Sequence, residues 1–555
     1  MKFRLYKPGI PELTRERQAL ALLVLMLAGF FWFPGTTWLQ SDTQIYVPIF
    51  EHLDDPGVLR NDLCAMRPHV SFTIYDEVTR ALNRLTDMGY GPMLHFQQMA
   101  FRLVGLAGVF FIALSAGLPP AGGLFAAAAF GLGAVINGPA VLTFEYEPVP
   151  RGFAVMLIFG ALGSMAQGWW RLSAGLLALA TLYHPTTTAP MWGCAALWWL
   201  GPAGRRERWI LLGAAAVAAS LLALFASLQQ GIVETAPLWG RIDPELEALQ
   251  RMRGAYNWIG LWPREWLWQY PLLFVFAVVA WWRVRALLSP PMRFFALALP
   301  VYGLAMIPVT WYLLDVRKWV LMPQFQPARA VLFITAMAVL LGALAAWQAV
   351  DRRRYLEAGA WLMLVFAPPL NGLVLQLFTA LPEPLAVRRV GLLLALAAVV
   401  AVLLSWSRRI PALVLVAIAL PLILIPTAGE VRNYPELHNQ PLFDLAAWAR
   451  NWTERDAVFL FADAHRHLAP GIFRAEARRA LYVDWKTGGQ VNLLPELGRE
   501  WGRRWKAVRE ARPPLLPLEH YAALGIDYLV VNPANVPEGA TPVYNTEDYA
   551  VIRLP

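Results

Sequence analysis

The residues best placed to do chemistry stand where apolar runs of this chain end. Asp42, in "SDTQIY", comes within a few residues of the apolar run 19–38. Glu145, Glu147 and Arg151, in "TFEYEPVPRG", lie in the turn between the runs 121–141 and 152–168. His184 sits in "LYHPTTTAP", where two short runs meet, and Lys318, Gln326 and Arg329 fall in "DVRKWVLMPQFQPARA". Charge at the end of a membrane span is costly unless it is paired or used, which sets these groups apart from charges in open loops. Clustered carboxylates in a partly dry site suit base catalysis or the binding of a divalent cation, Mg or Mn, with Asp42 and Glu145 as ligands. Arg151, Lys318 and Arg329 complement an anionic phosphate. Arg329 is the best of these, because it follows "QFQP" where the chain re-enters the membrane. Its plainer roles are pairing with Asp315 or snorkelling to the surface. Tyr256, in "GAYNWIGLWPREWLW", belongs to an aromatic loop suited to lining a cleft for sugar rings or an isoprenoid chain, or else to an interfacial belt.

The elements that must position these groups are membrane helices. The chain has 555 residues, 58% hydrophobic and only 15% charged. We divide its apolar runs at about 19–38, 96–117, 121–141, 152–168, 172–184, 186–200, 209–228, 269–282, 294–314, 329–349, 357–379, 390–406 and 411–427, which makes about 13 spans. The first, preceded by Lys2, Arg4, Lys7, Arg15 and Arg17, reads as an uncleaved signal anchor. The net charge of +9 resides largely in short loops between spans, so topology accounts for it and no nucleic-acid partner is expected. Basic clusters at Arg15/Arg17, Arg171, Arg205/Arg206/Arg208, Arg283/Arg285/Arg293, Arg352/Arg353/Arg354 and Arg408/Arg409 place the N-terminus in the cytoplasm. Arg317, Lys318, Arg388 and Arg389 then fall on the outer side, against the rule. With this topology the candidate residues share the extracytoplasmic face, as do a first outer loop, about 39–95, and a further one, about 229–268. The first loop also carries His52, Asp54, Asp55, Arg60, Asp62 and His69. The two cysteines, Cys64 and Cys194, have no disulfide or zinc spacing and read as free thiols.

Near residue 428 the composition changes. We read 1–428 as a transmembrane domain and 429–555 as a small extracytoplasmic α/β domain. "DAVFLF", "RALYVDW", "IDYLVV" and "YAVIRL" have the character of buried strands. "PELHNQPLFDLAAWARNW" and "LLPELGREWGRRWKAVREA" have helical spacing.

This arrangement resembles the GT-C superfamily of integral membrane glycosyltransferases, at the level of architecture over the whole chain. The most transferable feature is the acid after the first span, here Asp42 in "SDTQIYVP". In the superfamily such an acid acts as base or as part of a metal and acceptor site. A second acidic position, after the third span, matches Glu145 or Glu147 in "FEYEPVPR". The chain departs from the pattern in lacking a WWD-type motif and a clean acidic pair beside the first span. The resemblance implies transfer of a sugar from a polyprenyl-phosphate carrier to a lipid, glycan or protein acceptor, inverting if the displacement is a single step. The expected setting is the bacterial inner membrane, with membrane lipid as a further partner. Three other readings stand beside it: a polysaccharide polymerase or ligase, a non-catalytic GT-C-like scaffold, and a transporter. A transporter should show mid-membrane polar groups and pseudo-repeats, and neither is clear here.

Overall fold

The computed structural model describes residues 14–66, 73–201, 204–228, 237–370, 383–407 and 409–555. His69, residues 229–236, the end of the 357–379 run and Arg408 lie outside the described residues, as do Lys2, Arg4 and Lys7. Helices follow the apolar runs. Near the N-terminus they are α1 (Arg15–Phe31), α2 (Thr43–Asp54), α3 (Tyr75–Thr86), α4 (Tyr90–Ser115) and α5 (Pro120–Gly131). After a short hairpin of β1 (Val135–Ile136) and β2 (Val141–Leu142) come α6 (Pro150–Ala166), α7 (Trp170–Tyr183), α8 (Pro185–Leu200) and α9 (Arg205–Leu228). The second half holds α10 (Pro244–Arg253), α11 (Arg264–Val284), α12 (Pro290–Thr310), the short α13 (Met322–Phe325), α14 (Leu332–Asp351) and α15 (Tyr355–Phe366). Two more apolar helices, α16 (Glu383–Trp406) and α17 (Leu413–Thr427), complete it.

Six helical segments among the described residues are long and apolar enough to cross a membrane, and four more apolar helices are shorter. The count of about 13 spans is therefore not established. One difference has a local cause. The run 121–141 is not one helix, because α5 stops at Gly131 and Gly133 adopts φ +70°, a left-handed helix-ending conformation. The residues beyond it pair as the β1–β2 hairpin around "NGP".

Packing around α14 sets the frame. This helix is apolar all round and lies wholly inside the bundle, as such a helix must. Helices α4 and α6 cross so closely that a Cβ added at Gly108 would lie 2.1 Å from the Phe159 carbonyl oxygen, and one at Gly163 would lie 2.3 Å from that of Gly108. Small residues permit this approach, and van der Waals contact between the two backbones holds it. The crossing sets the course of α6, whose first turn carries Arg151.

The C-terminal elements are α18 (Gln440–Trp452), α19 (Ala469–Ala477), α20 (Pro495–Ala507), α21 (Leu518–Ala523) and a five-stranded sheet. Strand β3 (Val458–Phe461) runs parallel to both β4 (Ala480–Leu481) and β5 (Tyr528–Val531). Strand β7 (Ala550–Arg553) is antiparallel to β5 and to the edge strand β6 (Tyr544–Asn545). Every residue of β3 and β5 is buried, which accounts for the unbroken apolar runs of "VFLF" and "YLVV". Helix α19 packs on α2, and α20 packs on α10.

Candidate active site

The turn after α1 is built by hydrogen bonds to Glu147. One carboxylate oxygen accepts from the backbone N–H groups of Gln40 and Ser41, each at 2.6 Å, and from the Thr43 hydroxyl at 3.0 Å. The other accepts from the Thr43 N–H at 3.2 Å. Four donors on one buried carboxylate spend its hydrogen-bonding capacity on holding the turn that presents Asp42. Burial, and then the charge of Asp42, push the Glu147 carboxyl up, while Lys486 and the N–H groups of Ser41 and Thr43 oppose that shift.

Asp42 is the centre of the site. One carboxylate oxygen accepts from Lys486 Nζ at 2.7 Å, and the other is ion-paired with Arg151. Arg151 also donates from Nε to Glu145 Oε1 at 2.7 Å and from its second terminal nitrogen to Oε2 at 3.3 Å. One guanidinium thus bridges the two carboxylates. Burial raises the Asp42 carboxyl, but Lys486 and then Arg151 outweigh it and hold the group well below the ordinary carboxylate range. Asp42 keeps 24% of its side-chain exposure, whereas Glu145 keeps 3%, so Asp42 is the more accessible of the two.

Arginine and glycine position Glu145. Arg102, buried in α4, donates to the carbonyls of Gly35 at 2.9 Å and Glu145 at 2.6 Å, with its guanidinium 4.9 Å from the Phe144 ring centroid. Carbonyl acceptors satisfy this charge inside a membrane helix, and they tie the end of α1 to the segment bearing Glu145. Gly152 leaves room on the other side, since a Cβ there would sit 2.7 Å from Glu145 Cβ.

Lys486 arrives from the C-terminal sheet region, and a buried network holds it. Asp484 accepts from the backbone N–H of Lys486 at 3.1 Å with one oxygen and from Arg474 at 2.9 Å with the other. Arg474 also donates to the Thr487 hydroxyl and the Gln44 carbonyl, each at 2.9 Å, joining α19 to α2. Other acids of the first loop serve the same junction. Asp62 accepts from the N–H of Leu481 at 2.9 Å, Glu51 pairs with Arg478 at 2.7 Å, and Asp55 pairs with Arg455. Asp54 turns instead to Arg80, Arg84 and Tyr90.

A second ring surrounds this centre. Arg329 and His184 lie within electrostatic reach of Asp42 and Arg151. Among the described residues no side-chain hydrogen bond or ion pair engages Arg329, its Nε is buried without a partner, and its guanidinium lies 6.0 Å from the Tyr256 ring centroid. The pairing with Asp315 does not form: Asp315 accepts from the Gly260 N–H at 3.2 Å and faces Arg251 at 4.0 Å. Gln326 precedes Arg329 in a left-handed turn at φ +47°, which sets the direction in which the chain re-enters the bundle. His184 caps α8, its Nδ1 accepting from the Thr187 N–H at 3.2 Å, so a neutral ring carries its hydrogen on Nε2. The Tyr256 hydroxyl accepts from Asn492 at 3.2 Å. Lys318 is not brought to Asp42: its ammonium pairs with Glu247 at 2.5 Å.

A divalent cation does not fit Asp42 and Glu145 as they stand. The Arg151 guanidinium occupies the place between them that a metal ion would take, and no group of three metal-ligating side chains forms among the described residues. Sequence reasoning missed Lys486, Arg102 and Arg474. A faint signal existed for the first, since the chain has 42 arginines and five lysines, and a lysine in "YVDWKTGG" is an unusual choice.

No known protein family's sequence profile matches the chain, and no curated protein does. Among solved structures it is similar to ArnT from Cupriavidus metallidurans in the apo state, with 15% identity, 96% of each chain covered and a TM-score of 0.45. The same protein bound to undecaprenyl phosphate gives 16%, 96% of each chain and 0.45. The arabinofuranosyltransferase AftD from mycobacteria gives 15% and 0.44, covering 94% of this chain and 35% of that one. Likenesses at this level assign no role to any residue of this chain.

Proposed function

We propose that this chain is a membrane glycosyltransferase of the GT-C type. It would move a sugar from a polyprenyl-phosphate carrier to a lipid, glycan or protein acceptor. The observation that carries this reading is the charge arrangement at the ends of apolar helices. Asp42 sits between Arg151 and Lys486, and within electrostatic reach of Asp42 and Arg151 stands Arg329, without a carboxylate of its own among the described residues. A lipid-linked phosphate presents negative charge at this depth while its tail remains among apolar helices. Asp42 matches the acid that follows the first span in the GT-C superfamily.

In the reaction we infer, the acceptor hydroxyl gives its proton to Asp42 as its oxygen forms a bond to the anomeric carbon. The bond from that carbon to the carrier phosphate oxygen breaks, and the phosphate leaves with the electron pair. Arg329 and Arg151 stabilise the developing charge, an interaction stronger in the transition state than in the ground state. A carboxylate held by two cations is a weak base. A bound phosphate competes for those cations, and partial release of Lys486 or Arg151 raises the basicity of Asp42 when it is needed. One displacement inverts the anomeric carbon.

On this reading the first 428 residues form the membrane domain of a bacterial inner-membrane protein, with a cytoplasmic N-terminus. Residues 429–555 then lie outside the cytoplasm, and Lys486 reaches the site from that side. The test is transfer of radiolabelled sugar from a polyprenyl-phosphate donor pool by the purified chain and by Asp42→Asn. Loss of transfer with donor binding kept supports the reading. Near-normal turnover in Asp42→Asn removes Asp42 from catalysis. A second reading, a non-catalytic GT-C-like scaffold, draws on the same ion pairs, since both oxygens of Asp42 are already engaged. It predicts no transfer by the wild-type chain with any donor in the pool.

A further inference from the structure

Trp485 precedes Lys486 in the chain and is half-buried beside the site. Two guanidinium groups face its ring: that of Arg253 at 4.8 Å from the ring centroid and that of Arg466 at 4.6 Å. They come from different parts of the molecule, Arg253 from the end of α10 and Arg466 from the loop between β3 and α19. The two charges lie within reach of each other. Neither has a carboxylate partner among the described residues. Arg253 spends its hydrogen bonds on carbonyls, donating to Trp485 O at 2.7 Å and Lys486 O at 3.4 Å. Arg466 is exposed and makes no hydrogen bond or ion pair among the described residues.

Two like charges on one indole repel; Asp484 and Asp42 act on Arg253 electrostatically, but among the described residues neither is ion-paired to it. The quadrupole of the ring offsets part of that cost, and an anionic ligand would offset the remainder. The ring also offers an apolar face to the C–H groups of a sugar. The residue after Trp485, Lys486, contacts Asp42 at 2.7 Å, and Arg253 lies within electrostatic reach of Asp42. We propose that Trp485, Arg253 and Arg466 form an acceptor subsite for an anionic saccharide, bearing a carboxylate or a phosphate, and so select which acceptor reaches Asp42. This deepens the glycosyltransferase reading and rests on it for the word acceptor, but the binding itself does not require transfer to occur.

The experiment measures binding by isothermal titration to the full chain in nanodiscs. Three probes are used: trigalacturonate, glucose 1-phosphate and neutral maltotriose. At least one anionic probe should bind, the stronger one naming the carboxylate or the phosphate as the preferred group, and maltotriose should bind at least tenfold more weakly. Arg466→Ala should weaken the anionic probe at least tenfold, and Trp485→Leu should do the same. Arg466 is exposed, so its replacement leaves the fold intact, and Arg466→Lys should restore part of the affinity if charge is what matters. Affinity for a sugar-free polyprenyl phosphate should be the same in wild type and Arg466→Ala. Equal binding of charged and neutral probes, or unchanged affinity in Arg466→Ala, overturns the proposal. Failure of transfer with these binding results intact overturns the catalytic reading and leaves the anion subsite standing.

Discussion

The contact between Lys486 and Asp42 joins residues 444 positions apart, and it can be tested by a double-mutant cycle. The perturbations are Lys486→Met, Asp42→Asn and the two together. At 2.7 Å two unit charges attract by about 6 kcal/mol when the effective dielectric constant is about 20. Side-chain exposures of 10% for Lys486 and 24% for Asp42 mean that burying the pair cost both groups much of their hydration, which cancels a large part of that attraction. Removing one partner of a fully buried pair typically costs about 3–5 kcal/mol. Arg151 still neutralises Asp42 in Lys486→Met, so we expect that single change to cost about 2–3 kcal/mol, with a coupling energy of about 2 kcal/mol. The assay is equilibrium unfolding of the four proteins by SDS titration in mixed micelles at pH 7, followed by intrinsic tryptophan fluorescence. A coupling within about 0.5 kcal/mol of zero, as for independent sites, would refute the placement of Lys486 beside Asp42. The assembly of the site by the C-terminal region would fall with it.

Arg329→Lys should weaken affinity for polyprenyl phosphate about tenfold, because an ammonium cannot reproduce two parallel hydrogen bonds to phosphate oxygens; equal affinity in wild type, Arg329→Lys and Arg329→Ala would take Arg329 out of the donor site. The folded Asp42 carboxyl titrates below its unfolded range of about 3.9, so the stability it contributes is full above that range and is lost as pH falls through the depressed folded value. The stability difference between wild type and Asp42→Asn should therefore shrink as pH falls below about 4 in thermal unfolding scans; a difference that grows over that range would contradict this. A reporter enzyme that works only outside the cytoplasm, fused after Pro555, should be active, and activity there of a cytoplasm-only reporter would reverse the topology.

Much of the architecture was legible in the sequence because it depends on local, one-dimensional properties. The apolar runs are mainly helical where the described residues cover them, since a backbone among apolar neighbours must satisfy its own hydrogen bonds; the tail of the 121–141 run, which pairs as the β1–β2 hairpin, and residues 32–38 are the departures. "VFLF", "YLVV" and "AVIR" are strands because short β-branched and aromatic runs fit a covered sheet. The nearness of Asp42, Glu145 and Arg151 could also be expected, as all three lie at ends of apolar runs. Tertiary structure alone decided their parts. Glu147 and Glu145 are two residues apart and read alike, yet one clamps the Asp42 turn through four donors and the other grips Arg151. Lys318 stands near Arg329 in the chain but pairs with Glu247, while Lys486, in the C-terminal sheet region, reaches Asp42. No periodicity records such pairings. They depend on how closely α4 and α6 approach at Gly108 and Gly163, and on the Arg474–Asp484 network that seats α19 against α2. Charge pairing is set by distances across the fold, which hydropathy along the chain does not contain.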